Sequence, residues 1–282
     1  MELAAENILR KPPFIIQPSK GLFQLDLVAL WHYRELLYFL VWRDILIRYK
    51  QTAIGVCWAV LQPLITMLIF TLVFSHFAKI PSDGKPYPLF AFAALLPWNC
   101  FSQALQRSGS SLVGSANLIT KIYFPRLLIP LAASVSPAVD LFFSFIILMA
   151  MMLWYGVMPS WGLLALPLFV ALSMLSALAV GLWLTTLNVK YRDIGHIIPF
   201  LIQIWMYASP VAYPVSIVPE KWRLLYSLNP MVGVIEGFRW AILGADRPDW
   251  MVLIVSSTVV VVLLLSGLVY FKRMEQTFAD II

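Results

Sequence analysis

Charged residues are scarce in this sequence. Of its 282 residues, 12% are Asp, Glu, Lys or Arg, whereas 61% are hydrophobic. A soluble domain carries roughly 25% charged residues, which cover its surface with polar groups. The shortage excludes a water-soluble enzyme and a nucleic-acid binder as the main body. The net charge of +6 is instead typical of loops that face an anionic membrane leaflet.

The groups needed for metal, redox and nucleotide chemistry are also missing. The chain has two cysteines and three histidines, and none of them stands at metal-ligand spacing. Gly109 and Gly114 have the spacing of a phosphate-binding loop, but Ser115 follows where that loop requires lysine. We therefore expect no catalytic residue, no metal and no cofactor in this chain, and any nucleotide must be bound by another chain.

Long apolar runs are what the sequence has in their place. Six of them approach the roughly 20 residues that a helix needs to cross a bilayer, so we predict an all-α integral membrane protein. The spans are predicted at 56–77, 87–106, 127–154, 163–187, 197–214 and 250–271. Small residues at four-residue spacing in the fourth run favour close helix packing: Ser173, Ala177 and Gly181.

The segments outside the spans predict the orientation. Residues 1–55 are expected to form a cytoplasmic arm and a helix lying along the membrane interface; a soluble helix packed on a partner is the alternative. Basic residues number seven in this segment, three and two after spans two and four, and two in the tail at 272–282. These fourteen, against six in the other loops, place both termini in the cytoplasm.

The connection between spans five and six is long but not polar. It contains two short helical patterns, split by Asn229-Pro230, and the second is too short to cross a bilayer. We predict a re-entrant helix pair there. Glu236 and Arg239 are three residues apart and could pair on one helix face; this pair either lines a wet path or only fixes the hairpin.

Asp140 is the one acidic or basic residue within a predicted span. A proton-coupled transporter could use such a carboxylate, but proton relays usually have more than one station. We interpret Asp140 as a structural hydrogen-bonding residue.

Two spans carry stripes that are both polar and aromatic. Within each stripe the residues fall on one helix face at 100° per residue. Aromatic faces and amide or hydroxyl groups together suit a sugar-like solute that must slide without binding tightly, although helix packing explains the stripes equally well. The stripe residues are Gln62, Thr66, Phe70 and Phe77 in span one, and His196, Phe200, Gln203 and Tyr207 in span five.

Five local motifs occur in order between residues 48 and 239. They are Arg48-Tyr49-Lys50-Gln51-Thr52 with Gly55, Trp58 and Pro63; Asn117-Leu118-Ile119 with Lys121 and Tyr123-Phe124-Pro125-Arg126; Asn188-Val189-Lys190-Tyr191-Arg192-Asp193-Ile194; Ser209-Pro210-Val211 with Tyr213-Pro214; and Asn229-Pro230 with Arg239. Together with the six-span layout, these motifs resemble the permeases of type-2 ABC exporters that move O-antigen, capsule or teichoic-acid polysaccharides across the inner membrane.

The resemblance implies a homodimer in the cell inner membrane with two copies of a separate subunit that binds ATP and Mg. It implies that spans one and five line the path of a lipid-linked polysaccharide. The residues expected to contact the ATP-binding subunit are Asn117, Tyr123, Arg126, Lys190, Arg192 and Asp193. Basic residues expected near the entrance for a lipid diphosphate are Arg43, Arg48, Lys50 and Lys121.

Other transport functions remain open at the level of sequence. A type-2 ABC exporter of drugs or small lipids would have the same layout, and a proton-coupled secondary transporter would depend on Asp140. A membrane glycosyltransferase is disfavoured by the missing carboxylates.

Overall fold

The structure, a computed structural model, describes residues 27–50, 56–245, 248–275 and 277–278, and their regular secondary structure is entirely helical. The predicted arm at 1–21 lies outside these residues. The helices are α1 Leu27–His32, α2 Arg34–Tyr49, α3 Val56–Phe70, α4 Tyr87–Gly114, α5 Ala116–Lys121, α6 Leu128–Val135, α7 Ala138–Trp154, α8 Leu166–Lys190, α9 Ile194–Tyr207, α10 Glu220–Tyr226, α11 Pro230–Leu243 and α12 Trp250–Glu275. A π-helix, Thr71–Phe77, continues α3, and short 3₁₀ turns precede α8 and α10.

Helices α4 and α8 form the centre of the fold. The predicted ridge of small residues on α8 is confirmed as their contact surface, since Ser173, Ala177 and Gly181 are all buried. The Ser173 hydroxyl donates to the Pro97 carbonyl at 3.2 Å. A Cβ at Gly181 would lie 1.9 Å from the Ser108 hydroxyl oxygen, so only glycine permits this close approach.

In the part of the chain that the structure describes, four helical segments are long and apolar enough to cross a bilayer. They are Cys57–Phe77, Leu128–Trp154, Trp161–Lys190 and Trp250–Glu275. The prediction of an all-helical membrane fold is therefore confirmed for four spans. The predicted second span forms the first part of the buried helix α4, and the helix of the fifth, Ile194–Tyr207, is apolar but shorter.

The N-terminal segment and α11 pack against these helices in different ways. A break at Tyr33 separates α1 from α2, and α2 buries Leu40 in a cluster with residues of α4 and α6. Aromatic side chains on the other side of α2, such as Phe39 and Trp42, stay exposed. Helix α11 is apolar apart from Glu236 and Arg239, and it is buried by α4, α8 and α12.

Candidate functional site

Asp140 joins the end of α2 to the membrane helices. Arg48 forms an ion pair with Asp140, and the Tyr49 hydroxyl donates to Asp140 Oδ1. Arg48 also donates to Gln103 Oε1 on α4 at 2.6 Å. Burial and the hydrogen bond to Asp140 raise the pKa of Tyr49 to about 12, so the hydroxyl keeps its proton at neutral pH. The arrangement ties α2, α4 and α7 together, with an arginine as the charged partner of the carboxylate.

The predicted entrance arginines line one cavity, whereas the predicted lysines do not. A cavity of about 430 Å³ between α2, α4 and α6 is lined by Arg43, Arg48 and Arg107. Arg43 pairs with its neighbour Asp44 at 2.9 Å. Lys50 and Lys121 are absent from the lining, so the four entrance residues do not share one site. Arg107 was missed because a count of basic residues in loops says nothing about which of them line a cavity.

The stripe on α3 divides between the core and the surface. Gln62 is exposed, and the Thr66 hydroxyl donates to the Gln62 carbonyl at 2.9 Å. Phe70 is buried and meets Phe74 edge to face at 5.2 Å. Phe77 is 71% exposed. Only part of this predicted stripe is therefore open to the surroundings of the protomer.

The stripe on α9 is exposed along its whole length. His196, Phe200, Gln203 and Tyr207 all lie on the outer face of the helix. The opposite face is fixed to α4: Trp205 meets Phe101 edge to face at 5.1 Å. The protein thus holds a face of aromatic, amide and imidazole groups on a helix whose other side is packed, an arrangement that can stack on sugar rings and bond their hydroxyls.

Both ends of α9 are fixed by asparagines from the predicted motifs. At its start, Asn188 Oδ1 accepts from the Gly195 amide at 3.0 Å, while Asn188 Nδ2 donates to the Gly109 carbonyl of α4 at 3.1 Å. At its end, Asn229 Oδ1 accepts from the Trp205 indole at 2.9 Å, and Asn229 Nδ2 donates to the Ala208 carbonyl at 3.1 Å. These roles were not predicted, and the only sequence signal was the position of each asparagine next to a helix boundary.

The predicted pair of Glu236 and Arg239 does not form. Among the described residues, Arg239 has no carboxylate within ion-pair distance, although its side chain is buried. Its guanidinium instead lies 3.5 Å from the centre of the Phe90 ring. It donates to the carbonyls of Val211 at 2.9 Å, Tyr213 at 3.3 Å and Phe90 at 3.4 Å. The two carbonyls of the turn after α9 need donors, and together with the Phe90 carbonyl of α4 they outweigh one neighbouring carboxylate that stays partly solvated.

The residues predicted to contact the ATP-binding subunit lie at one end of the bundle. Helix α5 and the following segment continue from α4, and the bond between Asn188 and Gly109 brings the loop after α8 to the same place. Five of the six residues are exposed: Asn117, Tyr123, Lys190, Arg192 and Asp193. Arg126 differs, because its guanidinium donates to the backbone carbonyl of Glu275 at the end of α12.

Comparison with known proteins agrees with this architecture. A model of the ABC-2 type transporter family matches residues 35–243. The O-antigen export system permease protein RfbA of Myxococcus xanthus is 31% identical over 255 residues, covering 89% of this chain and 96% of the relative. RfbA of Klebsiella pneumoniae is 25% identical over 252 residues, covering 88% and 95%. The polysialic acid transport protein KpsM of Escherichia coli is 22% identical over 239 residues, covering 83% and 91%.

The family match covers the predicted motifs and three of the four helical segments of membrane-spanning length found among the described residues. The chain therefore belongs to the ABC-2 type transporter family and is a multi-pass membrane protein that serves transport and not catalysis.

Proposed function

We propose that this chain is the permease of an ABC exporter for a lipid-linked polysaccharide of the O-antigen, capsule or teichoic-acid type. The observation that carries the proposal is the exposed aromatic and polar face of α9, in a chain whose relatives are named for O-antigen export and polysialic acid transport. A polymer must pass without stalling, and many weak stacking contacts provide that better than a few tight ones.

The transporter is a homodimer in the cell inner membrane, with two ATP-binding subunits that hold ATP and Mg. In this arrangement the exposed faces of α3 and α9 surround the path between the two permeases. An exposed row of aromatic and amide groups is unusual for a helix that meets only lipid, since an amide loses its hydrogen bonds there.

Each permease has six spans in the proposal, with α10 and α11 as a re-entrant pair between the last two. The 28 residues of α4 exceed the length of a bilayer crossing, and its buried first part is the second span. Helix α9 and the turn after it form the fifth. Helix α11 has 14 residues, too few to span, yet it is buried like a core helix. The uneven distribution of basic residues supports cytoplasmic termini.

Coupling to ATP hydrolysis takes place at the end of the bundle that carries α5. Binding of ATP closes the two partner subunits, and that motion pushes on α5 and on the loop at 190–193. Tyr123 is 68% exposed and Ile122 is 58% exposed, which gives this end an apolar contact beside charged residues. Lys50 and Lys121, both exposed, remain the proposed entrance groups for the diphosphate of the lipid carrier.

Reconstitution tests the proposal. The permease is co-expressed with a candidate ATP-binding subunit, purified through a tag on the permease, and placed in liposomes with lipid-linked glycan. We expect a stable complex whose ATPase rate rises with the glycan and which moves the glycan across the bilayer. Tyr123→Ala should weaken the complex, whereas Tyr155→Ala, which truncates an exposed tyrosine at the other end of the bundle, should not. A complex that ignores glycans but moves small lipids or drugs would contradict polysaccharide export.

A further inference from the structure

The cavity between α2, α4 and α6 has the chemistry of an anion site. Besides three arginines and Asp44, its lining includes serine residues in the last turns of α4 and just after it. The Ser115 hydroxyl makes no hydrogen bond within the described part of the chain. Hydroxyl and guanidinium groups are donors that suit phosphate oxygens.

Arg107 supplies positive charge that the protein does not neutralise by direct contact. Its guanidinium donates to the Ser136 hydroxyl at 3.1 Å, and no carboxylate of the described residues lies within ion-pair distance of it. Arg43 and Arg48, by contrast, have Asp44 and Asp140. Burial and the nearby charge of Arg48 lower the pKa of Arg107, because both disfavour the charged form of its guanidinium.

The surroundings of the cavity indicate that the anion belongs to a lipid. Ile47 lines the cavity and is 70% exposed, and on the same helix Phe39 and Trp42 are also exposed. The Ile47 side chain offers apolar contact to an acyl chain directly beside the donors, and the two aromatic side chains extend the apolar surface on the outer side of the helix. Cytoplasmic leaflets contain anionic phospholipids, and basic pockets at this level are known to bind their headgroups.

The net charge around the cavity indicates which kind of lipid binds there. Among the described residues, the three arginines of the lining have two aspartates as ion-pair partners, Asp44 and Asp140, so one positive charge is left for a ligand. The phosphodiester of a phospholipid such as phosphatidylglycerol carries one negative charge, whereas a polyprenyl diphosphate carries more than one. We propose that this cavity is a binding site for an anionic phospholipid, which fills the gap between α2 and the membrane helices.

Lipid titration of the purified full-length permease tests the site, with bound lipid counted by native mass spectrometry. Wild type should bind phosphatidylglycerol more tightly than phosphatidylcholine. Arg107→Gln should weaken phosphatidylglycerol binding by about tenfold, since hydrogen bonds to charged groups are among the stronger ones. Gly114→Leu should do the same by filling the cavity, because a Cβ at Gly114 has no atom within 4 Å. Arg273→Gln, an exposed arginine on α12 outside the lining, is the matched control and should bind as wild type does.

Four other results of the lipid titration would each contradict the proposal. Equal binding of the two phospholipids by wild type, or unchanged binding by Gly114→Leu, excludes an anionic-lipid site here. Gly114→Leu keeps every charge and decides the matter if Arg107→Gln does not fold. Competition by millimolar inorganic phosphate would make it a site for free phosphate. Displacement of phosphatidylglycerol by polyprenyl diphosphate would make it part of the substrate entrance. None of these measurements involves export, so they leave the proposed function untouched.

Discussion

Asp140 has 7% of its side chain exposed and meets two residues of α2. An asparagine at position 140 can still accept from the Tyr49 hydroxyl but loses the negative charge that pairs with Arg48. Removing one member of a buried pair costs about 3–5 kcal/mol. Because Arg48 is 24% exposed, we expect a smaller loss of about 1–3 kcal/mol in the free energy of unfolding for Asp140→Asn. Thermal unfolding of the purified protein measures it.

The double variant Arg48→Gln with Asp140→Asn is the control for this prediction. Without either charge, part of the lost stability should return. Export by Asp140→Asn at a permissive temperature should stay largely intact, as expected for a structural residue. Loss of export by a fully stable, dimeric Asp140→Asn protein would instead assign the carboxylate to the transport cycle.

Arg239 and Glu236 are adjacent on α11 but should respond very differently to mutation. Arg239→Gln removes bonds to three carbonyls and the contact with Phe90, so we expect a loss of about 3 kcal/mol or more. Arg239→Lys should recover little, because one ammonium group cannot reach all three carbonyls. Glu236→Gln should cost less than about 1 kcal/mol. Equal losses for the two glutamine variants would mean that the predicted pair exists after all.

The sequence predicts the interaction partner of a residue only when that partner is close to it in the chain. Asp140 is recognisable because it is the one charge in an apolar run, but Arg48 is 92 positions away from it and pairs with it only after α2 docks. The spacing of Glu236 and Arg239 correctly places them on one helix. It gives the wrong partner for Arg239, since the competing carbonyls come from the turn after α9 and from α4, which are distant in sequence.

Helices were predicted well where apolar runs have clear ends. The two short helices on either side of Asn229-Pro230 are present, and proline at the first turn of α11 begins a helix as expected. The predicted fifth span was too long as a helix, because α9 ends at Tyr207 before Pro210. The third is two helices, since Ser136 and Pro137 separate α6 from α7. The alignment of exposed residues on α9 followed from periodicity, whereas burial of Phe70 on α3 depends on tertiary packing.

The exposed face of α9 carries the central prediction at the scale of helices. Phe200 and Tyr207 are 64% and 60% exposed, so Phe200→Ala with Tyr207→Ala should leave expression and thermal stability nearly unchanged. Each single variant should reduce export partially and the double variant severely, because weak stacking contacts are lost along the path. Polymer reaching the outer leaflet of reconstituted vesicles is the measurement.

Two control variants distinguish a role of the α9 face in the polymer path from a role in helix packing. Phe142→Ala with Ile146→Ala truncates two exposed residues of α7 and should leave export at the wild-type rate. Phe70→Ala should lower stability by about 3 kcal/mol, since Phe70 is a core residue. Wild-type export by the Phe200 and Tyr207 double variant would show that the polymer passes elsewhere and that the α9 face meets lipid or the partner protomer.

At the scale of the whole molecule, contacts join helix α12 to the segment after α5, which we propose receives the force of ATP binding. The Arg126 amide donates to the Glu275 carboxylate at 3.3 Å, and Lys272 holds the same carboxylate at 2.7 Å. Phe278 is fully buried and meets Phe271 edge to face at 5.2 Å. Phe124 belongs to the same cluster. If the proposed push on α5 occurs, we expect these contacts with α12 to resist it, so that the push moves the membrane helices and not only the loop.

Weakening the contact between α12 and the segment after α5 should uncouple ATP hydrolysis from export. Phe278→Ala removes a buried ring worth about 3 kcal/mol or more of packing. Because Phe278 lies beyond α12 and packs on Phe271, the loss should free the local segment without unfolding the bundle. We expect the complex to assemble and hydrolyse ATP, with about tenfold less polymer exported per ATP. Thr277→Ala, at the exposed neighbouring position, should keep the wild-type ratio. If Phe278→Ala also keeps it, α5 transmits the motion through α4 alone, and the contact with α12 only adds stability.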